Sequence, residues 1–161
     1  MDESMKAYFV EAVRSSRMTM YRAALAILRS PFDAEDAVSS AVEATWKQLY
    51  RIRDLNALPA YLIRSAVNAA KSETRRKKKT VPTCDFESFE IPFVDETPLS
   101  HYVNGLKDKY RVILLLKYGE NLTEDEIAFI LHLPRGTVSS RVHRALETLR
   151  KEMQEEETGH A

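Results

Sequence analysis

The chain has 161 residues with 24 basic and 24 acidic side chains, which suits one medium domain or two small ones. Four glycines argue against a turn-rich all-β protein. No apolar run reaches the length of a membrane span and the acidic start is no signal peptide, so we expect a cytoplasmic protein without membrane insertion. The single cysteine, Cys84, excludes an internal disulfide. No zinc-ligand spacing or nucleophile–base arrangement is visible, so we expect no metal, no cofactor and no enzymatic activity.

The zero net charge hides three blocks of different charge. Residues 1–80 carry 15 basic against 9 acidic side chains, residues 81–97 carry five acids and no base, and residues 98–161 carry 9 basic against 10 acidic side chains. Basic, acidic and near-neutral blocks in this order predict two domains, 1–80 and 98–161, joined by an acidic linker.

The basic block begins with two predicted helices. Apolar spacing over residues 5–29 predicts the first, which Ser30-Pro31 ends. Asp33 is the predicted cap of a second helix that runs to about Tyr50. The buried stripe of this second helix is predicted to be Val38, Ala41, Val42, Trp46 and Leu49. The exposed stripe is predicted to be Asp36, Ser39, Ser40, Glu43 and Lys47.

A third helix is predicted after a loop. Residues 51–58 form that loop, which contains no aromatic side chain, and Pro59 suits the first turn of the helix. Its inward face is predicted to be Leu62, Ile63, Ala66, Val67 and Ala70. Another face carries a polar and mostly basic stripe at helical offsets: Arg64, Asn68, Lys71 and Arg75. A run of five basic residues closes the domain.

The acidic segment and the start of the last block carry weaker patterns. Residues 81–97 combine prolines and acids, which argue against a helix, with aromatic side chains that would anchor the segment on a neighbouring surface. Residues 106–118 predict a buried helix, and residues 154–161 are expected to fray. The sequence shows no large interface between the two domains, so we expect an arrangement that a partner easily shifts.

Residues 121–149 have the build of a helix-turn-helix. Thr123 and Glu126 form a capping-box pattern, Pro134 and Gly136 mark a turn, and Thr137 is the predicted cap of the second helix. The apolar stripe of that helix is predicted to be Val138, Val142, Ala145, Leu149 and Met153. Its opposite face is polar and basic: Ser139, Ser140, His143, Arg144 and Lys151. Such a helix suits the major groove, which favours DNA binding over a plain αα-hairpin in a helical core.

Taken together, the two halves resemble the extracytoplasmic-function (ECF) class of bacterial sigma factors over nearly the whole chain. LTEDEIAFIL followed by PRGTVSSRVHRA matches the family's pattern for its fourth domain. DAEDAV and AYLIRSAVNAAK, followed by the basic run, match the second domain. The resemblance implies an all-α fold of two small helical domains: residues 1–80 as sigma region 2, residues 81–97 as the acidic linker, and residues 98–161 as the helix-turn-helix region 4.

The resemblance also implies the partners and the site residues. The chain would give core RNA polymerase its specificity for promoter DNA, and an anti-sigma factor would hold it in check. Binding of the minus-thirty-five element would fall to Arg135, Thr137, Ser139, Ser140, Arg141, His143, Arg144 and Lys151. Binding of the minus-ten element would fall to Arg64, Asn68, Lys71 and Arg75. Docking on the polymerase would fall to Asp36, Ser39, Ser40 and Glu43.

Two alternatives stay open, and the chain departs from the family pattern at three places. Ser39-Ser40 stands where the family usually has Gln followed by an acid, and Tyr61 stands where it often has Trp. With the loop that lacks aromatic residues, these departures bear on polymerase docking and on holding an unstacked base. The alternatives are an autonomous helix-turn-helix DNA-binding regulator and a degenerate sigma-like protein that only binds partners.

Overall fold

The computed structural model describes residues 2–80 and 98–159. These residues form helices and the turns that connect them, and they contain no strand. The predicted all-α class is confirmed. The helices follow in chain order: α1 (Glu3–Leu28), α2 (Pro31–Lys47), α3 (Leu58–Thr80), α4 (Pro98–Asn104), α5 (Asp108–Leu114), α6 (Glu124–Leu131) and α7 (Arg135–Gly159). The acidic linker predicted at residues 81–97 lies outside the described residues. Across the described part of the chain, no helix is both long enough and apolar enough to cross a bilayer.

Helices α1, α2 and α3 pack into a three-helix bundle, which we call the first unit. Its centre is made of side chains that are almost completely buried, among them Met20, Ala24, Leu62, Ala66 and Ala70. The alanines let the helix backbones approach closely, while each fully buried Leu contributes roughly 1.5–3 kcal/mol to folding. The inward face predicted for the third helix is therefore confirmed.

The start of α2 differs from the prediction. Ser30, rather than Asp33, caps the helix, and its hydroxyl oxygen accepts a hydrogen bond from the Asp33 N–H at 3.3 Å. Pro31 occupies the first helical position, where a missing N–H is no loss. Asp33 lies in the first turn, where the helix dipole favours a carboxylate, and it pairs with Lys77 of α3. The same residue type suits a cap and a first turn, so the pattern placed the start three residues late.

Helices α4 to α7 form the second unit. The single helix predicted over residues 106–118 is α5 followed by a π-helical turn, Leu115–Gly119. Arg111 in α5 is completely enclosed, although its neighbours are apolar. Its Nε donates to the carbonyl oxygen of Ala26 at 2.7 Å, and its Nη1 donates to that of Leu106 at 2.6 Å. A buried guanidinium is tolerated because its donors are used, and one of them reaches α1 of the first unit.

The helix-turn-helix is present, with its second helix starting earlier than predicted. Thr123 caps α6 as expected, accepting from the Glu126 N–H at 3.2 Å. Helix α7 begins at Arg135, because the Pro134 carbonyl already accepts from the N–H of Thr137 at 3.0 Å. Thr137 is therefore not a cap, and Gly136 lies in the helix rather than in the turn. Helix α7 continues to Gly159, so most of the tail that was expected to fray is helical.

The two units are in direct contact. Buried apolar residues of both belong to one continuous cluster, and α1 and α3 of the first unit meet α5 and α6 of the second. The sequence showed no large interface between the two predicted domains, so this contact was not expected. Helical periodicity shows which face is buried inside a unit, but it cannot show that polar residues from distant segments pair across two units.

Candidate nucleic-acid interface

The turn between α6 and α7 sets the angle at which α7 is presented. His132 ends α6 in the left-handed region, with φ 55° and ψ 50°. Its N–H bonds to the Phe129 carbonyl at 3.3 Å, and the Leu133 N–H bonds to the Ala128 carbonyl at 3.0 Å. This pair of bonds is a Schellman motif, which fixes a sharp exit from the helix. The sequence did not indicate this helix end, because His132 rather than a Gly takes the positive φ.

The outer face of α7 carries most of the residues assigned to the minus-thirty-five element. Six of the eight side chains are exposed: Arg135, Ser139, Ser140, His143, Arg144 and Lys151. Thr137 and Arg141 are half-buried. The opposite stripe of α7 is buried at Val138, Val142, Ala145 and Leu149, whereas Met153 is 40% exposed. The structure thus brings the predicted reading side chains together on one accessible face.

Two of these exposed side chains already have partners in α6. The Ser139 hydroxyl donates to Glu124 Oε2 at 2.6 Å, and Arg135 Nη1 lies 3.5 Å from Asp125 Oδ2. Glu124 also accepts from Lys117 Nζ at 2.9 Å. The bond from Ser139, followed by that from Lys117, holds the pKa of Glu124 below its ordinary value. The first turn of α6 therefore places the carboxylates of Glu124 and Asp125 at the edge of the exposed face of α7.

The stripe assigned to the minus-ten element lies along α3, but its members differ in exposure. Asn68 and Arg75 are exposed, whereas Arg64 and Lys71 are half-buried. Burial, with smaller contributions from Arg141 and Arg75, lowers the pKa of Lys71. The stripe is thus continuous and basic, and part of it faces the second unit.

Arg64 makes its contacts with that second unit. Its guanidinium carbon lies 4.9 Å from the ring centroid of Phe129, and its Nη2 lies 3.2 Å from His132 Nδ1. The Tyr61 ring meets the same Phe129 ring edge-on, with centroids 5.0 Å apart and planes at 82°. From the sequence we assigned Arg64 to DNA binding, and no sequence pattern indicated a contact between Arg64 and α6.

An apolar groove runs between α1 and α2, beside the residues assigned to polymerase docking. Asp36, Ser39, Ser40 and Glu43 are all exposed, and two of them, Ser39 and Glu43, line the groove. Glu43 pairs with Lys47 at 2.9 Å, and the hydrogen bond from Lys47 lowers the pKa of Glu43.

The groove has a volume of about 1030 Å³ and aromatic walls. Trp46 was predicted to be buried, yet it is 37% exposed and meets Phe9 edge-on at 5.1 Å. Met18 also lines the groove and is 52% exposed. The prediction for Trp46 is wrong because α1 packs beside it rather than over it. The sequence therefore concealed an exposed apolar surface next to the predicted docking residues.

Residues 51–58 contain no aromatic side chain, but an aromatic side chain of α1 meets them in the structure. Two 3₁₀ turns, Leu49–Arg51 and Leu55–Ala57, form the connection between α2 and α3. Asp54 accepts from the Asn56 N–H at 3.0 Å, and the Tyr8 hydroxyl of α1 donates to Asn56 Oδ1 at 3.0 Å. Tyr8 lies 48 residues away in sequence, so no local signal could place it here.

Comparison with known proteins agrees with both units. Residues 12–80 match the family Sigma-70 region 2, and residues 97–149 match Sigma-70, region 4. The chain is 32% identical over 153 residues to an RNA polymerase sigma-E factor of Streptomyces coelicolor, covering 90% of this chain and 85% of that protein. It is 27% identical over 142 residues to the ECF RNA polymerase sigma-E factor of Escherichia coli, covering 76% of this chain and 74% of that protein.

The fold is also similar to solved structures. The sigma factor RpoE from Bartonella quintana, solved in complex with the anti-sigma factor NepR, superposes with a TM-score of 0.71 at 18% identity, covering 91% of this chain and 96% of that one. CnrH, solved in complex with the cytosolic domain of CnrY, gives a TM-score of 0.65 at 19% identity over 91% of this chain and 87% of that one. With regions 2 and 4 both matched, the chain belongs to the ECF class of the sigma-70 family and is an RNA polymerase sigma factor.

Proposed function

We propose that this sigma factor uses three separate surfaces in the cytoplasm: α7 for the upstream promoter element, the α3 stripe for the minus-ten element, and the α1–α2 face for core RNA polymerase. The observation that carries the proposal is the exposed face of α7, where Ser140, His143 and Arg144 stand together beyond a buried apolar stripe. A helix held by one side and free on the other can enter a major groove.

On α7, the residues divide into readers and anchors. Arg144 suits a guanine edge, to which it can donate two hydrogen bonds, and Ser140 and His143 flank it on the same face. Arg135 at the helix start and Lys151 two turns beyond Arg144 suit phosphates, which position the helix without specifying sequence. Thr137 and Arg141 are half-buried and therefore support the face more than they extend it.

On α3, the stripe Arg64, Asn68, Lys71 and Arg75 suits one strand of the opening duplex. Three cations at helical spacing follow a phosphate backbone, and the Asn68 amide can pair with a base edge. Asn56 lies in the loop that would receive a displaced base, and Tyr8, which bonds to Asn56, supplies the aromatic ring that the loop itself lacks.

On the α1–α2 face, an apolar groove suits a protein partner. Ser39 and Glu43 line this groove, and Asp36 and Ser40 are exposed on the same helix. Exposed aromatic and Met side chains with a polar rim have the composition of a protein interface. We assign this face to core RNA polymerase. An anti-sigma factor that covers it would keep the protein inactive, and the two solved relatives are bound to an anti-sigma factor and to CnrY, respectively.

This role makes and breaks no bond, so we propose no catalytic residue. The groove beside Ser39 and Glu43 also favours a sigma factor over an autonomous DNA-binding regulator, because such a regulator does not need a face that docks on polymerase. A degenerate protein that only binds partners would not need the exposed face of α7.

The assignment of two DNA surfaces is tested by site-directed DNA cleavage. A chemical nuclease is attached to Asn68→Cys, Ser140→Cys or the control Ala44→Cys in a Cys84→Ser background, and each protein is assembled with core polymerase on promoter DNA. The nuclease attached at position 68 should cut near the minus-ten element, and the nuclease at position 140 should cut near the minus-thirty-five element. The two elements lie about 25 base pairs, or roughly 85 Å, apart along the duplex. Ala44, which is exposed on α2, should cut neither. Cuts from Asn68 and Ser140 within one element would contradict the assignment.

A further inference from the structure

A row of three hydrogen-bonded side chains connects the π-helical turn, α6 and α7. Lys117 Nζ donates to Glu124 Oε1 at 2.9 Å, and the Ser139 hydroxyl donates to Glu124 Oε2 at 2.6 Å. Each carboxylate oxygen therefore has one donor, and the Glu124 side chain is only 23% exposed. Ser139 is exposed in the second turn of α7. The row thus ends in the part of a recognition helix that contacts base edges.

This row decides in which direction the Ser139 hydroxyl can bond. A hydroxyl has one proton to donate and two lone pairs that accept. An ionised carboxylate can only accept, so the Ser139 proton must lie on the side of Glu124. The bond from Ser139, followed by that from Lys117, lowers the pKa of Glu124, which favours the ionised carboxylate. On the outer face of α7, Ser139 therefore presents an acceptor and no donor.

The next residue of α7 has the same side chain without this constraint. Within residues 2–80 and 98–159, the exposed Ser140 hydroxyl has no hydrogen-bond partner. Its proton can turn towards a DNA acceptor or away from a DNA donor. Ser139 and Ser140 thus form a matched pair, in which only the first hydroxyl has a fixed direction.

We propose that Ser139 is a one-way reader of the upstream element, which accepts a hydrogen bond from the exocyclic amine of an adenine or a cytosine. Glu124 is the positioning residue that fixes this direction. The inference rests on the proposed function of α7 and adds the base chemistry that one of its residues selects. In the major groove the adenine and cytosine amines donate, whereas guanine O6 and N7 and thymine O4 accept. A guanine or thymine oxygen opposite Ser139 would meet a second acceptor with no proton between them.

DNA cannot easily reverse this direction. A hydrogen bond to an ionised carboxylate is about twice as strong as one between neutral groups. A guanine or thymine that captured the Ser139 proton would exchange the stronger bond for the weaker one. A phosphate oxygen also only accepts, and it would be repelled by the charge of Glu124. Ser139 is therefore a reader of bases, unlike Arg135 and Lys151, which suit phosphates.

The first test selects upstream sequences with holoenzyme. Core polymerase assembled with the wild-type protein, Ser139→Ala or Ser140→Ala is mixed with promoter DNA whose upstream element is randomised, and the bound DNA is sequenced. At one position of one strand, the wild-type protein should prefer adenine or cytosine to guanine and thymine by about threefold to tenfold, the contribution of one hydrogen bond. Ser139→Ala should abolish this preference at that position alone, and Ser140→Ala should keep it.

An analogue base that lacks the amine, placed at the same position, tests the atom involved. It should weaken binding of the wild-type holoenzyme by about the same factor of three to ten. It should not weaken binding of Ser139→Ala, which cannot accept from the amine. An equal loss for both proteins would show that the amine is not recognised by Ser139.

The direction itself is tested by Glu124→Gln. The Gln amide has one oxygen and one NH₂ group. Lys117 can only donate, so it should attract the amide oxygen and leave the NH₂ group to donate to Ser139. The Ser139 proton is then free to point at DNA, and the preference should shift to guanine or thymine at the same position. Lys117→Met keeps the carboxylate and should keep the wild-type preference, which controls for a disturbed region 4.

The outcomes separate this inference from the proposed function of α7. An unchanged preference in Glu124→Gln, or a wild-type preference for guanine or thymine at the position that depends on Ser139, would overturn the inference. If Arg144→Ala alters base preference and Ser139→Ala alters none, the inference fails while α7 remains the reader of the upstream element. A wild-type holoenzyme without any upstream base preference would contradict both.

Discussion

The Arg64 guanidinium of α3 lies 4.9 Å from the ring centroid of Phe129 in α6. The side chain therefore has two competing roles, one inside the protein and one proposed on the minus-ten DNA. A cation over an aromatic face is stabilised by the ring quadrupole, and it cannot contact a phosphate from the same position. On the proposed assignment, Arg64 must leave the Phe129 ring before it can contact a phosphate of the minus-ten element.

Arg144→Ala and Lys151→Ala should differ in kind, although both side chains are exposed on α7. Loss of a bidentate contact to guanine should cost about 1–3 kcal/mol at one base position and relax the preference there. Loss of a phosphate contact should weaken binding evenly across sequences and reduce the slope of log K against log salt by about one. Holoenzyme binding to a randomised upstream element at several salt concentrations measures both effects. Equal, sequence-blind losses would show that Arg144 reads no base.

Arg111→Met should lower the free energy of unfolding by about 2–4 kcal/mol, because it leaves the carbonyls of Ala26 and Leu106 buried without these donors. The Arg111 side chain is completely buried, and this burial lowers its pKa. Lys109→Ala, on the exposed side of the same helix, should change stability by less than about 0.5 kcal/mol. Urea unfolding followed by circular dichroism compares the two variants, and equal midpoints would refute a stabilising role for the buried guanidinium.

Ser39→Arg should weaken binding to core polymerase, because it places a long charged side chain at the edge of the apolar groove. We expect a loss of about tenfold or more, which corresponds to about 1.4 kcal/mol. Ala44→Arg is the matched control, since Ala44 is exposed on the same helix and does not line the groove. Titration of core polymerase with labelled protein gives both affinities. If Ala44→Arg binds as weakly as Ser39→Arg, the groove is not the docking surface.

The Glu124 carboxylate should stabilise region 4 only while it is ionised. Its pKa is held below the ordinary value of 4.5, first by Ser139 and then by Lys117. A group with a depressed folded-state pKa contributes stability above its unfolded-state pKa, and that contribution is lost as pH falls through the folded-state value. Glu124→Gln should therefore be less stable than the wild-type protein at about pH 7, and the difference should shrink at an acidic pH well below 4.5. Thermal unfolding at the two pH values measures this change, and a difference independent of pH would argue against an ionised partner for Ser139.

Sequence patterns predicted the structure correctly where it depends on residues close together in the chain. The Thr123 cap, the inward face of α3 and the exposed face of α7 follow from residue spacing alone, and the structure reproduces them. Boundaries were less certain where one residue type suits two positions. Asp33 fits a cap and a first turn equally well, and Thr137 has the chemistry of a cap although the Pro134 carbonyl already opens α7.

The rest of the site depends on contacts between distant segments. Arg64 meets Phe129 across a separation of 65 positions, and Tyr8 meets Asn56 across a separation of 48. Trp46 has the spacing of a buried residue, yet its exposure is decided by where α1 passes. A single sequence carries no signal for these pairings, because every residue involved is also compatible with a solvated helix surface.

Transcription in vitro measures whether this chain directs promoter-specific initiation. Core RNA polymerase is mixed with the purified protein and a genomic promoter library, and the 5′ ends of the transcripts are sequenced. We expect discrete start sites, absent with core polymerase alone, whose promoters share one upstream and one minus-ten sequence. An absence of any discrete start site, with polymerase that is active on a second sigma factor, would contradict this expectation.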